Sequence, residues 1–165
     1  MIKPDDAYRG VIIYLKGLGI VYEILECDPK FADTLQFCNK YGYPLQSSGN
    51  TIIVGSRHEP KQYSACVVQA SRKLDVNKTV RQLMKVRRLS FATAEETQTI
   101  TGMAIGGVTP FNLPGDLPLY VDGELMKEPY VILGSGTRSS KVKISPKGLQ
   151  SIPGAMVVPN LSKLG

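Results

Sequence analysis

Glycine and proline are concentrated in one stretch of the chain, residues 101–122, which reads TGMAIGGVTPFNLPGDLPLYVD. Glycine lets a backbone come close to a ligand, and proline stiffens the path around it. A second glycine turn, Gly134-Ser135-Gly136, follows the next predicted strand. Two rigid glycine turns beside short strands predict a pocket whose polar groups are mainly backbone amides. A pair of tight surface turns is the alternative that this pattern alone leaves open.

Other catalytic and metal-binding patterns are missing from the sequence. The one histidine, His58, lies in a charged stretch between Arg57 and Glu59, where neither a buried general base nor a catalytic triad is expected. The three cysteines have no CxxC spacing, which argues against a disulfide framework and against a zinc site. HExxH, calcium-loop and phosphate-loop motifs are also absent. We therefore expect no metal and no cofactor.

Positive charge is concentrated in two segments of a chain whose net charge is only +6. Residues 57–88 hold nine Lys or Arg and two acidic residues, and residues 138–147 hold four basic residues and no acidic one. This polarity suits a polyanionic partner, although solvated faces without a partner would give the same pattern. The start of the chain has acidic residues where a secretory signal has basic ones, and no apolar run could span a bilayer. We expect a cytoplasmic protein without a membrane partner.

Helix and strand patterns alternate along the chain and must position the glycine turns. The predicted helices cover residues 5–17, with Asp5 and Asp6 as caps, then 33–41, 75–86 and 93–102, and a helical turn opens at Ser145-Pro146. The predicted strands cover residues 20–27, 51–54, 63–68, 88–91, 119–121, 130–133, 141–144 and 156–158. Lys78, Arg81 and Lys85 are spaced i, i+3 and i+7 and are expected to share one helix face. The length of 165 residues fits one domain, residues 1–165, with a sizeable core.

Three groups of residues, in order along the chain, resemble one known family. They are Gly106-Gly107-Val108-Thr109-Pro110, then Leu117-Pro118 with Val121-Asp122, then Gly134-Ser135-Gly136-Thr137-Arg138. Residues 32–41, the two strands within 46–54 and 63–68, and Leu74-Asp75 extend the resemblance, so that it covers roughly residues 20–150. Together these features are similar to the YbaK/ProX family of aminoacyl-tRNA editing (deacylase) domains, which are related to the insertion domain of bacterial prolyl-tRNA synthetases.

This resemblance implies a mixed α/β (α+β) fold, a single compact domain whose curved, barrel-like mixed or antiparallel β-sheet is flanked by helices. It also implies hydrolysis, in trans, of the ester of a mischarged tRNA, for example one carrying cysteine, alanine or serine on proline tRNA. Backbone N–H groups suit this reaction, because negative charge develops on the carbonyl oxygen. The resemblance assigns one pocket wall to Gly106, Gly107, Thr109 and Pro110, the facing turn to Gly134, Ser135 and Gly136, and closure of the pocket at a strand end to Asp122.

One position departs from the family pattern. The family usually has a lysine directly before the threonine of the first central strand, whereas this chain has Asn50 before Thr51. Asparagine is neutral and cannot act as a base or as a cationic clamp. Asn50 therefore holds the water or the ester by hydrogen bonds, or another lysine reaches the pocket, or hydrolysis is lost and binding kept. The other lysines considered are Lys40, Lys61 and Lys73. A plain turn residue before a strand is equally compatible with Asn50.

The sequence thus predicts a free-standing aminoacyl-tRNA deacylase with Asn50, Thr51 and Asp122 as candidate catalytic residues. A non-catalytic tRNA- or aminoacyl-binding module of the same fold is the alternative, because of Asn50, and a small-molecule-binding protein is a third. The expected partners are tRNA and an aminoacyl-tRNA synthetase. Neither the amino acid nor the oligomeric state follows from the sequence. The expected contacts to tRNA phosphates are Lys78, Arg81, Lys85 and Arg138.

Overall fold

The computed structural model describes residues 4–165 of the chain. This part contains ten β-strands and five α-helices. The strands are β1 (Tyr22–Glu26), β2 (Gly49–Ser56), β3 (Tyr63–Gln69), β4 (Lys73–Leu74), β5 (Leu89–Phe91), β6 (Leu119–Asp122), β7 (Val131–Gly134), β8 (Ser140–Ile144), β9 (Ala155–Val158) and β10 (Ser162–Lys163). The helices are α1 (Pro4–Gly17), α2 (Thr34–Tyr41), α3 (Arg81–Met84), α4 (Ala94–Thr101) and α5 (Lys147–Gln150). The mixed α/β fold that the sequence predicted is confirmed.

The largest sheet has five strands in the order β5-β2-β3-β6-β9. β2 and β3 form an antiparallel hairpin, and β5 pairs antiparallel with the other edge of β2. β6 and β9 are added in parallel. Nearly every residue of β3 is buried, as is usual for an apolar run that is covered on both faces.

A second, antiparallel sheet has the order β1-β8-β7. It meets the five-stranded sheet at the beginning of β2, where Ser48 forms an isolated parallel bridge with Ile132 of β7. The first residues of β2 and the ends of β7 and β8 therefore lie close together. This junction positions the candidate site.

The main core lies between α1 and the two sheets. Val11 and Leu15, one helical turn apart on α1, are fully buried against Val67 of β3, Val121 of β6 and Leu133 of β7. Burying such side chains stabilises the fold by about 1.5–3 kcal/mol each. Within residues 4–165, no helix is long and apolar enough to cross a membrane.

Local sequence signals set several element boundaries as expected. Gly42, with φ of 77°, ends α2 in the left-handed conformation. Thr93 and Glu96 form a capping box at the start of α4: the Thr93 hydroxyl accepts from the Glu96 N–H, and the Glu96 carboxylate accepts from the Thr93 N–H. α1 already includes Asp5 and Asp6, so neither precedes it as a cap, and residues 1–3 lie outside the described part of the chain.

The predicted helix over residues 75–86 is present from Val76 to Met84, but it is not one regular α-helix. Residues Val76–Val80 form a π-helical turn, α3 covers only Arg81–Met84, and Lys85 ends it with φ of 56°. Because the helical period changes at α3 and the chain turns at Lys85, Lys78 and Lys85 do not share a regular helix face with Arg81. Residues spaced i, i+3 and i+7 share one face only in an unbroken α-helix.

Candidate functional site

A cavity of about 380 Å³ lies where β2 passes α2, at the junction of the two sheets. Its floor is formed by residues 48–53 of the chain, which include Asn50 and Thr51. Gly106 and Gly134, from the two glycine turns, line the walls. The structure thus brings four of the sequence-predicted site residues together around one space.

Asn50 is held in place by α2. The hydroxyl Oγ1 of Thr34, the first residue of that helix, donates a hydrogen bond of 2.5 Å to Asn50 Oδ1. With Oδ1 occupied in this way, the Nδ2 amide is the part of Asn50 left to donate to a ligand. Asn50 therefore presents a neutral donor to the cavity.

Thr51 supplies a hydroxyl that has no partner. Its Oγ1 is buried and forms no hydrogen bond to any of residues 4–165, although Thr51 lines the cavity. Buried side-chain polar atoms are usually hydrogen-bonded, since losing water without compensation costs free energy. Thr51 Oγ1 is therefore a candidate hydrogen-bond donor beside the cavity.

The two glycine turns contact each other directly. Gly136 N–H donates a 2.7 Å hydrogen bond to Gly107 O, and a Cβ at Gly134 would clash with the carbonyl oxygen of Val108. Gly106 has φ of 91°, and a Cβ there would clash with Arg138 Nη1. Gly134 is therefore required by its close approach to backbone atoms, and Gly106 by its positive φ.

Arg138 fastens one side of the cavity. Its Nη1 donates to Ile105 O at 2.9 Å and lies 3.3 Å from Asp33 Oδ1, and its Nη2 donates to Pro29 O at 2.9 Å. The guanidinium thus joins the loop before α2 to the glycine-rich loop. Nη1 and Nη2 of Arg138 are engaged by the protein itself, and its contact with tRNA phosphates stays a prediction.

Lys141 of β8 is a cavity residue that reasoning from the sequence missed. Its side chain is only 6% exposed, and Nζ donates to Ala32 O at 2.5 Å and to Gly106 O at 3.2 Å. Burial lowers the pKa of this lysine, and the nearby Arg138 guanidinium lowers it further. The sequence placed Lys141 in a basic segment, and only the β7–β8 register, which sets it opposite Gly134, shows that it lines the cavity.

The lysines that the sequence suggested as replacements do not line the cavity. Lys40 Nζ lies over the ring of Phe31, 5.2 Å from its centroid. Lys61 forms an ion pair with Glu96 at 3.4 Å. Lys73 lies on β4, which pairs with β10 away from the cavity. Another lysine does line the cavity, as one of the three explanations for Asn50 requires, but this lysine is Lys141.

Asp122 does not close the cavity as predicted. It is fully buried, and its Oδ2 accepts from Gln69 N–H at 2.9 Å while its Oδ1 accepts from Glu124 N–H at 3.0 Å. A carboxylate that accepts from two backbone N–H groups caps the turn after β6 and joins it to β3. The sequence pattern located the strand end correctly but could not show on which side of the sheet this carboxylate lies.

The remaining predicted pocket residues support the walls from behind. Ser135 Oγ bonds to Ser140 O at 2.8 Å, and Thr109 is fully buried with an unpaired Oγ1 among the described residues. These residues pack within the turns and do not line the cavity. They are Gly107, Thr109, Pro110, Ser135 and Gly136.

A group of basic side chains collects at the far end of β2, and we call it the basic end. Arg57, directly after β2, donates its N–H to Arg88 O just before β5. Two adjoining surface depressions are lined by this group. Its members are Arg57, Arg81, Lys85, Arg87 and Arg88. Lys78 is exposed and lines neither depression.

Most of the chain matches a known family. A family model described as an aminoacyl-tRNA editing domain matches residues 28–152. The chain belongs to this family. The uncharacterized protein YwhH of Bacillus subtilis (strain 168) is 37% identical over 129 residues, which are 77% of this chain and 78% of YwhH.

Two solved structures of similar proteins cover nearly the whole chain. One is described as a candidate trans-editing enzyme for prolyl-tRNA synthetase; the TM-score is 0.80 at 26% identity, over 96% of this chain and 98% of that one. The other is the hypothetical protein APE2540, with a TM-score of 0.83 at 25% identity, over 93% of this chain and 99% of that one. The predicted family resemblance is confirmed.

Proposed function

We propose that this protein hydrolyses, in trans, the ester bond between a wrongly attached amino acid and the 3′ end of a tRNA. The observation that carries the proposal is the cavity, which is lined by Asn50, Thr51, Gly106 and Gly134. Membership of the aminoacyl-tRNA editing domain family supports the same class of reaction. So does the similarity in fold to a candidate trans-editing enzyme.

In this reaction the oxygen of a water molecule adds to the ester carbonyl carbon, and the bond from that carbon to the ribose oxygen then breaks. The ribose oxygen takes up the proton that the water loses, which leaves a free amino acid and a tRNA with a free hydroxyl. Negative charge develops on the carbonyl oxygen, and fixed hydrogen-bond donors stabilise it. We assign this task to Asn50 Nδ2 and Thr51 Oγ1. The neighbouring ribose hydroxyl carries the proton, so that a protein base is not required.

The size of the cavity favours a small amino acid. At about 380 Å³ it is near the lower end of the usual range of ligand pockets, roughly 300–1,000 Å³. Part of that space must hold the terminal ribose, which leaves little for the side chain. We therefore propose cysteine, alanine or serine on proline tRNA as substrates. Discrimination by one methylene is worth only about 1–3 kcal/mol, so closely similar amino acids are expected to compete.

The basic end is the proposed contact for the rest of the tRNA. Seven residues of extended chain separate Asn50 from Arg57, about 23 Å at the usual rise of a strand. The 3′ end of a tRNA can reach the cavity while phosphates further along the acceptor arm meet Arg57, Arg87 and Arg88. Such contacts position the RNA without reading its sequence. We propose tRNA as the main partner and a synthetase as a further one, in the cytoplasm where both occur.

A binding module without turnover is the second candidate. It is favoured by one observation, namely that Asn50 is neutral where the related domains usually have a lysine. In that case the cavity would hold the aminoacyl end of the tRNA without hydrolysing it. The deacylase would hydrolyse the aminoacyl-tRNA ester, whereas the binding module would leave it intact.

The test is a deacylation assay with purified protein and proline tRNA that carries cysteine, alanine, serine or proline. We expect loss of one of the first three esters and retention of the proline ester, with the rate lowered in Asn50→Ala. Asn39→Ala, the same change at an exposed position of α2, is the matched control and should keep the wild-type rate. Retention of every ester would contradict hydrolysis, and tRNA binding in the same samples would then support the binding module.

A further inference from the structure

Lys141 carries a positive charge into the cavity without a carboxylate beside it. The side chain is buried, and within residues 4–165 the ion pairs involve other groups: no Asp or Glu oxygen lies within 4.0 Å of its Nζ. The nearest acidic side chain that acts on it, Asp33, is already paired with Arg138. A buried ammonium held only by neutral groups loses hydration that they replace incompletely. Such a group is arranged to accept an anion.

The protein holds this ammonium in one place. Nζ has three N–H groups, and two of them donate to Ala32 O and to Gly106 O, of which Gly106 lines the cavity. Gly134 lies directly across the β7–β8 pair, and Val108 O occupies the place that a side chain of residue 134 would take. The ring centroid of Phe37 lies 5.8 Å from Nζ, and the third N–H is the donor left for a ligand in a cavity that Asn50 also lines.

We propose that Lys141 is the cation that binds an anionic oxygen of the substrate, and that it supplies the charge which Asn50 cannot supply. The inference rests on the proposed function, because the anion is assigned to the aminoacyl end of a tRNA. Two oxygens of that end have the required chemistry. One belongs to the phosphate of the terminal nucleotide, and the other is the carbonyl oxygen as it becomes negative during hydrolysis.

Two probes distinguish these sources. The first is 5′-AMP, compared with adenosine, which differs from it only by the phosphate. The second is an adenosine ester analogue in which a phosphonate replaces the amino-acid carbonyl and mimics the tetrahedral oxyanion. If Lys141 binds the phosphate, Lys141→Met weakens the binding of 5′-AMP about tenfold or more and leaves the binding of adenosine unchanged. If Lys141 binds the oxyanion, the same change weakens the binding of the phosphonate and lowers kcat with little change in KM.

Lys143→Met is the matched control. It removes a lysine from the same strand, but Lys143 lies over the ring of Tyr130, 4.5 Å from its centroid, and does not line the cavity. If Lys141 only held the cavity walls together, replacing it would lower the affinity for adenosine and for the charged probes equally. The ratio of the two affinities therefore separates anion binding from a structural role.

A measurement on the wild-type protein avoids any folding defect of the variant. NMR of isotope-labelled lysine side chains follows the titration of Lys141, whose charged neighbours are Arg138 and Asp33, with the thiols of Cys27 and Cys38 also close. Binding of a probe anion should raise its pKa. No rise with either probe would overturn the proposal. If the pKa rises but no tRNA ester is hydrolysed, the deacylase function fails while anion binding by Lys141 stands.

Discussion

Lys141 and Gly134 lie directly opposite each other in the antiparallel β7–β8 pair, and both line the cavity. Side chains at opposed positions of an antiparallel pair point to the same face of the sheet. Gly134 lies too close to Val108 O to carry a side chain, whereas the long side chain of Lys141 brings its ammonium to Gly106 O. A glycine and a lysine together thus create a charged position inside a narrow site.

Replacing Gly134 with alanine should destabilise the protein and impair substrate binding. The added Cβ would clash with Val108 O, and because this is a backbone atom it cannot move aside cheaply. We expect a loss of about 1–3 kcal/mol in the free energy of unfolding, measured by urea denaturation. Gly115→Ala, in the same glycine-rich segment but with open space around it, is the control. Equal stability of the two variants would contradict the close packing of the turns.

Replacing Thr51 with valine should separate stability from activity. The hydroxyl has no partner within residues 4–165, so its removal should raise the free energy of unfolding by about 1 kcal/mol. The deacylation rate should fall at least about tenfold, since a donor to the developing charge is lost. Thr109→Val is the control: it removes another unpaired buried hydroxyl, from a residue that does not line the cavity. It should stabilise the protein without lowering the deacylation rate. A Thr51→Val enzyme of normal rate would exclude a role for this hydroxyl.

Moving the lysine from β8 to β2 tests whether positions 50 and 141 serve one charge. Lys141→Met alone should lose most of the activity. The double variant Asn50→Lys with Lys141→Met should recover at least about tenfold over the single variant, because a cation returns to the same cavity. Asn50→Lys alone should be poorly active, since two ammonium groups would then repel each other. Deacylation assays of the three proteins decide this, and a double variant no better than Lys141→Met would count against it.

Neutralising the basic end should weaken tRNA binding and its dependence on salt. Changing Arg87 and Arg88 together to alanine removes two of its five charges. The slope of log affinity against log salt should fall by roughly 0.7–0.9 for each phosphate that the protein no longer neutralises. Lys16→Ala, at the exposed end of α1, removes a charge elsewhere and should leave the slope unchanged. An unchanged slope in the double variant would place the tRNA on another surface.

The lowered pKa of Lys141 predicts how stability changes with pH. Burial disfavours its charged form in the folded protein, whereas the unfolded chain keeps the ordinary value of 10.5. Between the two pKa values the unfolded state binds more protons, so raising the pH through that interval stabilises the folded state. Below the folded pKa this gain is absent. Urea unfolding from pH 7 to 10.5 should show wild type gaining stability relative to Lys141→Met, and parallel curves would contradict the shift.

Local patterns were enough to predict most elements of the fold. The apolar runs of β2 and β3, the glycine that ends α2 and the capping box of α4 each depend on residues close together in the chain. The prediction of one regular α-helix over residues 75–86 was wrong because it also used only local spacing. Spacing alone could not show that the turn Val76–Val80 is π-helical or that Lys85 takes a positive φ.

The sequence by itself determined the two glycine turns, the strand that carries Asn50 and Thr51, and the family to which the chain belongs. Only the tertiary structure decided which polar groups reach the cavity. Asp122 is turned to backbone N–H groups, Arg138 fastens the cavity wall, and Lys141 enters the site opposite Gly134. These outcomes depend on strand register and on which face of a sheet is covered. Both are set by contacts between segments far apart in the chain, which local patterns do not encode.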